Sequence, residues 1–200
     1  MRSYLNFATA ALIVAVIASA SAAAQKRPTE TFTGTVISYG TGMDTRTRTN
    51  TFTLNITGTT PDEDAQRALG ILRDEGQDKL LHSLSNQDLG NFSVGGRLGR
   101  RLIGVRMHDE GGRRRIFAFF ERWIQFGELR GGYRSVDYPF GVIELSIDPR
   151  TGKGDGTLIE AAQIRWKTDK KGGQNTVEIE NFATWPAKLL GVTRRGGNAR

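Results

Sequence analysis

The stretch LIGVRMHDEGGRRRIFAFFE, residues 102–121, reads as two strands joined by a tight turn. Ile103, Val105 and Met107 alternate with Leu102, Gly104 and Arg106. Beyond the turn, Ile116, Ala118 and Phe120 share one face while Phe117, Phe119 and Trp123 share the other. Successive side chains of a strand point to opposite faces, so a period of two marks a strand, where a helix repeats roughly every 3.6 residues. Gly111-Gly112 supplies the two residues tolerant of positive φ that a short hairpin loop demands. The second arm is apolar on both faces, which predicts a sheet covered on both sides.

Working outward, the same period recurs upstream. Phe52, Leu54 and Ile56 alternate with threonines and Asn55. Phe32, Gly34 and Val36 form a first strand ending near Tyr39, and Gly40 to Asn50 reads as a loop or wide hairpin end. Phe92 and Val94 precede a Gly95-Gly96 turn. Downstream, Ile143, Leu145 and Ile147 stop at Asp148-Pro149. Leu158, Ala162, Ile164 and Trp166 make the next strand, Lys170 to Gly173 a turn, and Val177, Ile179 and Asn181 a further strand. Trp185 to Leu190 is expected to form one helical turn placed by Pro186.

One segment departs from this period. Ala65, Leu69, Leu72, Gly76, Leu80 and Leu84 recur at helical spacing, with Thr60 positioned to cap, Pro61 at the first helical position and Glu63 completing a capping box. Gly70 and Gly76 each cost about 1 kcal/mol in a helix interior, so a kink or break is expected near Gly76. Strands in runs around a single helical segment do not make a doubly wound α/β fold. The expected fold is α+β: a mainly antiparallel, strongly curved sheet or partly closed barrel of about seven strands, with one long helix inserted after the second strand.

The first residues stand apart. Met1-Arg2 is followed by a nearly uncharged run to Gln25, with an apolar core from Phe7 to Ala18 and small residues to Ala24. This is the layout of a cleavable secretory signal over residues 1–24, cut after Ala24, where Ala22 and Ala24 satisfy the small-x-small rule. Cutting after Ala22 satisfies it too, and a retained anchor is the alternative. Residues 25–30 are then a flexible lead-in, 31–193 a single globular domain and 194–200 a flexible tail. No later segment is apolar and long enough for a helical span, so no stable membrane span is expected after cleavage. The chain contains no cysteine, which excludes disulfides, thiolate nucleophiles and cysteine-bound metals. An exported domain built without disulfides points to a bacterial periplasm or exterior.

The formal charge of +7 is concentrated. From Arg97 to Arg134 there are ten arginines and no lysine against four acids, a net +6. The arginine fork binds carboxylate, phosphate and sulfate through paired hydrogen bonds. Arg101, Arg106, Arg113, Arg114 and Arg115 are therefore the candidate site, with Arg113 and Arg115 expected on one face, across from Arg106, where like charges would repel unless an anion intervened. The expected partner is an anionic small molecule, an envelope polymer or an acidic protein surface. Nucleic acid is electrostatically permissible, but the leader places the chain away from it.

Other chemistry finds little support. The chain has two histidines, His82 and His108, too few for a three-histidine zinc centre, and no serine sits in a nucleophile-elbow motif. No metal or cofactor is implied and no catalytic residue is assigned. Glu144 and Glu160, expected to face each other across a hairpin, are the best carboxylate pair for the rival reading, a small hydrolase or isomerase working in a sheet-lined cavity. The reading favoured by the sequence is an exported ligand- or partner-binding protein without catalysis.

Overall fold

The computed structural model describes residues 30–40, 46–124, 130, 134–168, 176–182 and 185–195. Alternation of the kind seen in residues 102–121 produces nine strands, and every pairing between them is antiparallel. They are β1 (Glu30–Ser38), β2 (Arg48–Ile56), β3 (Gly90–Val94), β4 (Arg100–Glu110), β5 (Arg113–Glu121), β6 (Phe140–Ile147), β7 (Lys153–Lys167), β8 (Thr176–Asn181) and β9 (Ala187–Arg195). Helices α1 (Asp62–Glu75) and α2 (Gln77–Leu84) lie between β2 and β3, and a 3-10 turn spans Arg134–Asp137.

The fold is α+β, and its sheet closes into a barrel. Strands β1 to β6 pair in sequence order, β6 pairs β7, β7 pairs β9, and β9 returns to β1, giving a ring of eight. The long β7 extends past the ring. Its Ala162 pairs Phe140 of β6 on one edge and Asn181 of β8 on the other, so β8 occupies the continuation of the edge that β9 holds lower down. Closure leaves no free edge in the ring to template aggregation.

The barrel interior is filled by side chains. Phe32, Leu54, Val105, Ile116, Ile143 and Leu189 are all fully buried within one apolar cluster to which every strand of the ring contributes. The outer wall carries threonine, arginine and glutamate at alternate positions, the inside-apolar pattern of a barrel in water and the reverse of one that faces lipid. Among the described residues, no helix is long and apolar enough to cross a membrane. A second cluster lies outside the ring, where Leu72 and Leu80 of the helices cover Ile103, Phe140, Val142, Ala162 and Ile164. Of the two apolar faces read in β5, Ile116, Ala118 and Phe120 enter the barrel core, whereas on the other only Phe119 packs beneath the helices: Phe117 stacks on His108, and Trp123 lies beyond the strand and is exposed.

Several local expectations change. The break expected near Gly76 is complete, giving two helices in place of one long one, and the glycine's φ of 86° and ψ of −176° suit glycine alone. Thr60 does not cap it. Its amide donates to Val105 O (2.8 Å) and its Oγ1 accepts from the Val105 amide (3.0 Å), tying the helix entry to β4. Pro61, at ψ 156°, takes the cap position itself, one place before its expected one. A bulge in β4 between Leu102 and Gly104 breaks the alternation there and sends Ile103 to the helices while Leu102 and Val105 stay inside. Trp185 to Leu190 does not form a helical turn: from Ala187 it is β9, the strand that closes the ring, and Arg194 and Arg195 of the expected tail belong to it. The turn expected at Lys170 to Gly173 lies outside the described residues.

Candidate functional site

The helices cover the outer wall near the top of β4 to β7, and the lower part of that wall is open. There a groove of about 480 Å³ crosses β5, β6, β7 and β9. Register explains its lining. Arg115, Ser146 and Asp155 are successive cross-strand partners in one row, and Glu144, Thr157 and Lys188 are partners in the next. Small side chains on the central strands form the floor, while Arg115 and Lys188 rise from the flanking strands. Gly156 belongs to that floor because the strands approach closely: a Cβ there would lie 2.1 Å from Glu144 O.

The groove carries two cations and two carboxylates. Arg115 Nη1 is 3.3 Å from Glu144 Oε1, and its Nε is 3.4 Å from Glu110 Oε2. His108 Nε2 lies 3.8 Å from the same Glu110 oxygen, and the His108 ring stacks on Phe117 with centroids 5.9 Å apart and 6° between planes. Arg113 stands at the groove's edge, where its Nε and Nη2 donate to Ser146 Oγ (2.7 Å) and Ser146 O (2.6 Å). The two arginines thus order the hydroxyl and carboxylate through which a ligand would be read.

The other three candidate arginines lie elsewhere. Arg101 Nη2 donates to Ser85 O (2.6 Å) at the end of α2. Arg106 binds Asp62 Oδ1 (2.7 Å) and Thr60 O (3.0 Å) where α1 begins, beside a smaller hollow of about 270 Å³. Arg114 alternates inward at the barrel's lower mouth. Its Nη1 lies 3.7 Å from Glu30 Oε1, and Arg194 Nη1 lies 3.8 Å from the same oxygen. β1 and β5 stand four strands apart in either direction around the ring, so the Glu30–Arg114 pair spans the mouth from wall to opposite wall.

The expected repulsion between Arg106 and the pair Arg113 and Arg115 is not found. The two-residue turn at Gly111-Gly112, with φ of 57° and 74°, fixes Glu110 opposite Arg113, Asp109 opposite Arg114 and His108 opposite Arg115, while Arg106 faces Phe117. Opposite charges face Arg113 and Arg114, and each of the five arginines has a partner within the molecule. Glu144 and Glu160 do not face each other either. The β6–β7 turn is centred between Arg150 and Thr151, before the expected Gly152, so Glu144 pairs Thr157 and Glu160 lies further along β7, where it accepts from Ser38 Oγ (3.2 Å). The carboxylate that shares the groove with Glu144 is Asp155.

No family model, curated protein or solved structure matches this chain. Its chemistry therefore rests on geometry alone.

Five described groups have shifted titration, two of them the exposed neighbours Arg73 and Asp74, whose mutual hydrogen bond raises the first and lowers the second. Asp148 Oδ1 accepts from the amides of Arg150 (2.8 Å) and Thr151 (3.2 Å) in the β6–β7 turn, and the first of these bonds holds its carboxyl below the usual range. Tyr138 donates to Glu180 Oε1 (2.6 Å), which with burial raises its phenol. Arg100 is lowered by burial, with its guanidinium 3.8 Å over the Trp123 ring. None of the five lines the groove. Among the described residues no three or more His, Asp or Glu gather as metal ligands. Sequence reading missed Asp155, Thr157 and Lys188, because their place in the groove depends on β9; the alternation of Ala187 and Leu189 about Lys188 was the available signal.

Proposed function

We propose that this chain is an exported binding protein that works from the outer wall of its barrel and holds an anionic, hydroxyl-bearing ligand, such as a sugar acid or an envelope polymer, in the groove between Arg115 and Lys188. One observation carries the reading. The barrel interior is packed with apolar side chains, and of the two hollows described on its outside the groove is the larger, with two cations, two carboxylates and two hydroxyls along its lining. Arg115 and Lys188 would meet the anion, with Ser146 and Thr157 supplying hydroxyls. Glu144 would yield Arg115 in part, which predicts modest affinity and strong dependence on salt. Heparin-agarose provides the test. Arg115→Ser with Lys188→Ala should elute at clearly lower salt than the parent, whereas Arg101→Ser should elute unchanged. Equal elution of all three would sink the groove reading.

A second reading has one observation in its favour. Glu144 and Asp155 project from neighbouring strands into one groove, as the acid and base of a small hydrolase would. The groove is shallow and His108 does not line it, which favours binding over catalysis.

A further inference from the structure

The groove on the outer wall repeats itself. Leu145 of β6 pairs Gly156 of β7, and an antiparallel pair of strands has a local twofold axis through such a point. That axis carries Ser146 onto Thr157 and Glu144 onto Asp155. On the flanking strands it carries Arg115, which pairs Ser146, onto Lys188, which pairs Thr157. All six residues line the groove. In each half the cation stands across from the hydroxyl, and the carboxylate lies two residues before that hydroxyl on the same strand. Arginine answers lysine, serine answers threonine and glutamate answers aspartate, so the two halves offer the same chemistry.

The order of these groups across the wall sets what they can hold together. The cations are outermost, on β5 and β9, and the carboxylates and hydroxyls lie between them on β6 and β7. β5 and β9 are three strand spacings apart, roughly 14 Å along the wall. A single sugar acid is shorter than that and carries one carboxylate, so it meets one cation at a time. Glu144 and Asp155 would repel a bare polyanion laid across the floor, but an ionised carboxylate accepts hydrogen bonds from hydroxyls. The ligand that satisfies all six groups is therefore elongated, with acidic groups toward both ends and hydroxyls between them.

We propose that the groove is bivalent: two like half-sites that together take an acidic oligosaccharide lying across the strands, with one acid group on Arg115 and another on Lys188. This rests on the groove reading above and narrows it from any hydroxylated anion to an oligomer. Joining two weak half-sites through one ligand raises affinity without a new contact, because the second acid binds at the effective concentration that the first sets. The twofold relation also means that the groove accepts such a chain in either direction.

The experiment is an amide NMR titration that follows Ser146 and Thr157, with galacturonic acid, tetragalacturonic acid and, as a bare polyanion, tripolyphosphate. The monomer should move the two amides along independent curves. The tetramer should move both along one curve, with its midpoint about tenfold lower per acid unit, and tripolyphosphate should bind more weakly than the tetramer. Arg115→Ser should abolish the monomer's effect at Ser146, keep it at Thr157 and return the tetramer's midpoint to that of the monomer. Lys188→Ala should do the converse, and unchanged thermal melts would show that both variants fold. Equal midpoints for monomer and tetramer in the parent would overturn the bivalent site and leave the groove reading standing. A tetramer preference that survives both variants would overturn it as well, as would tripolyphosphate binding as tightly as the tetramer. If none of the three ligands moved either amide, the groove reading itself would fall and this inference with it.

Discussion

Three phenylalanines in this barrel face glycines across the strand pairing: Phe52 opposite Gly34, Phe119 opposite Gly104 and Phe120 opposite Gly141. In each pair the ring lies against the space a side chain would take, and a Cβ on Gly141 would come within 2.0 Å of the Phe120 ring. Glycine weakens a strand through its backbone freedom, and an aromatic ring laid over it recovers buried area while letting the sheet curve. Phe120 also stacks on Phe92, with centroids 5.7 Å apart, so the ring cannot shift without disturbing its neighbour. Gly141→Ala should therefore destabilise the fold by about 1–3 kcal/mol through overpacking. Urea unfolding would measure it. A variant as stable as the parent would show that the Phe120 ring is free to move.

At the level of elements, what was legible depended on whether alternation ran unbroken. β2, β5, β6 and the turn at Gly111-Gly112 carry an undisturbed period of two and could be read directly. The helical break at Gly76 was legible because a glycine inside an apolar stripe has a known cost. β9 was not legible. Ala187, Leu189 and Val192 are its buried residues, a spacing of two and then three. Gly191 is the cause: at φ 59° it forms a bulge opposite both β1 and β7, so two successive residues face outward and the period slips by one. The groove was illegible for the same reason, since one of its two flanking strands is β9. The arginine cluster was legible as charge but not as contact, because register, invisible in composition, decides what each arginine faces. β9 joins β1 to β7 through Leu189, which is fully buried. Leu189→Ala should cost about 2–5 kcal/mol. Thermal melting should show the loss, and a loss no larger than that of an exposed control, Leu190→Ala, would mean that the ring does not depend on this strand.

The whole molecule is organised around two apolar clusters, one inside the ring and one beneath the helices, and they should differ in stability. Inside, every strand of the ring is hydrogen-bonded to a neighbour on each side, and pairing β1 with β9 brings together the two extremes of the described chain. Such closure is highly non-local, which implies slow and cooperative formation. Outside, α1 and α2 hold to the barrel through Leu72 and Leu80, through Thr60 on Val105, and through Gln77, whose Nε2 donates to Asp137 O (2.9 Å) while its Oε1 accepts from the Ile164 amide (3.2 Å). Gln77 meets β7 beyond Ala162, the last β7 residue paired with β6, so one side chain there stands in for a missing strand partner. These attachments can release without opening any pair of the ring. Native-state hydrogen exchange should accordingly find the amides of α1 and α2 opening at lower free energy than those of Val105, Ile116 and Ile143. Leu72→Ala should lower helix protection by about 2–4 kcal/mol and leave those three strand amides at the global value. If the variant lowered helix and strand amides together, the helices would be part of the barrel's own cooperative unit, and the division into an inner and an outer cluster would describe packing without describing stability.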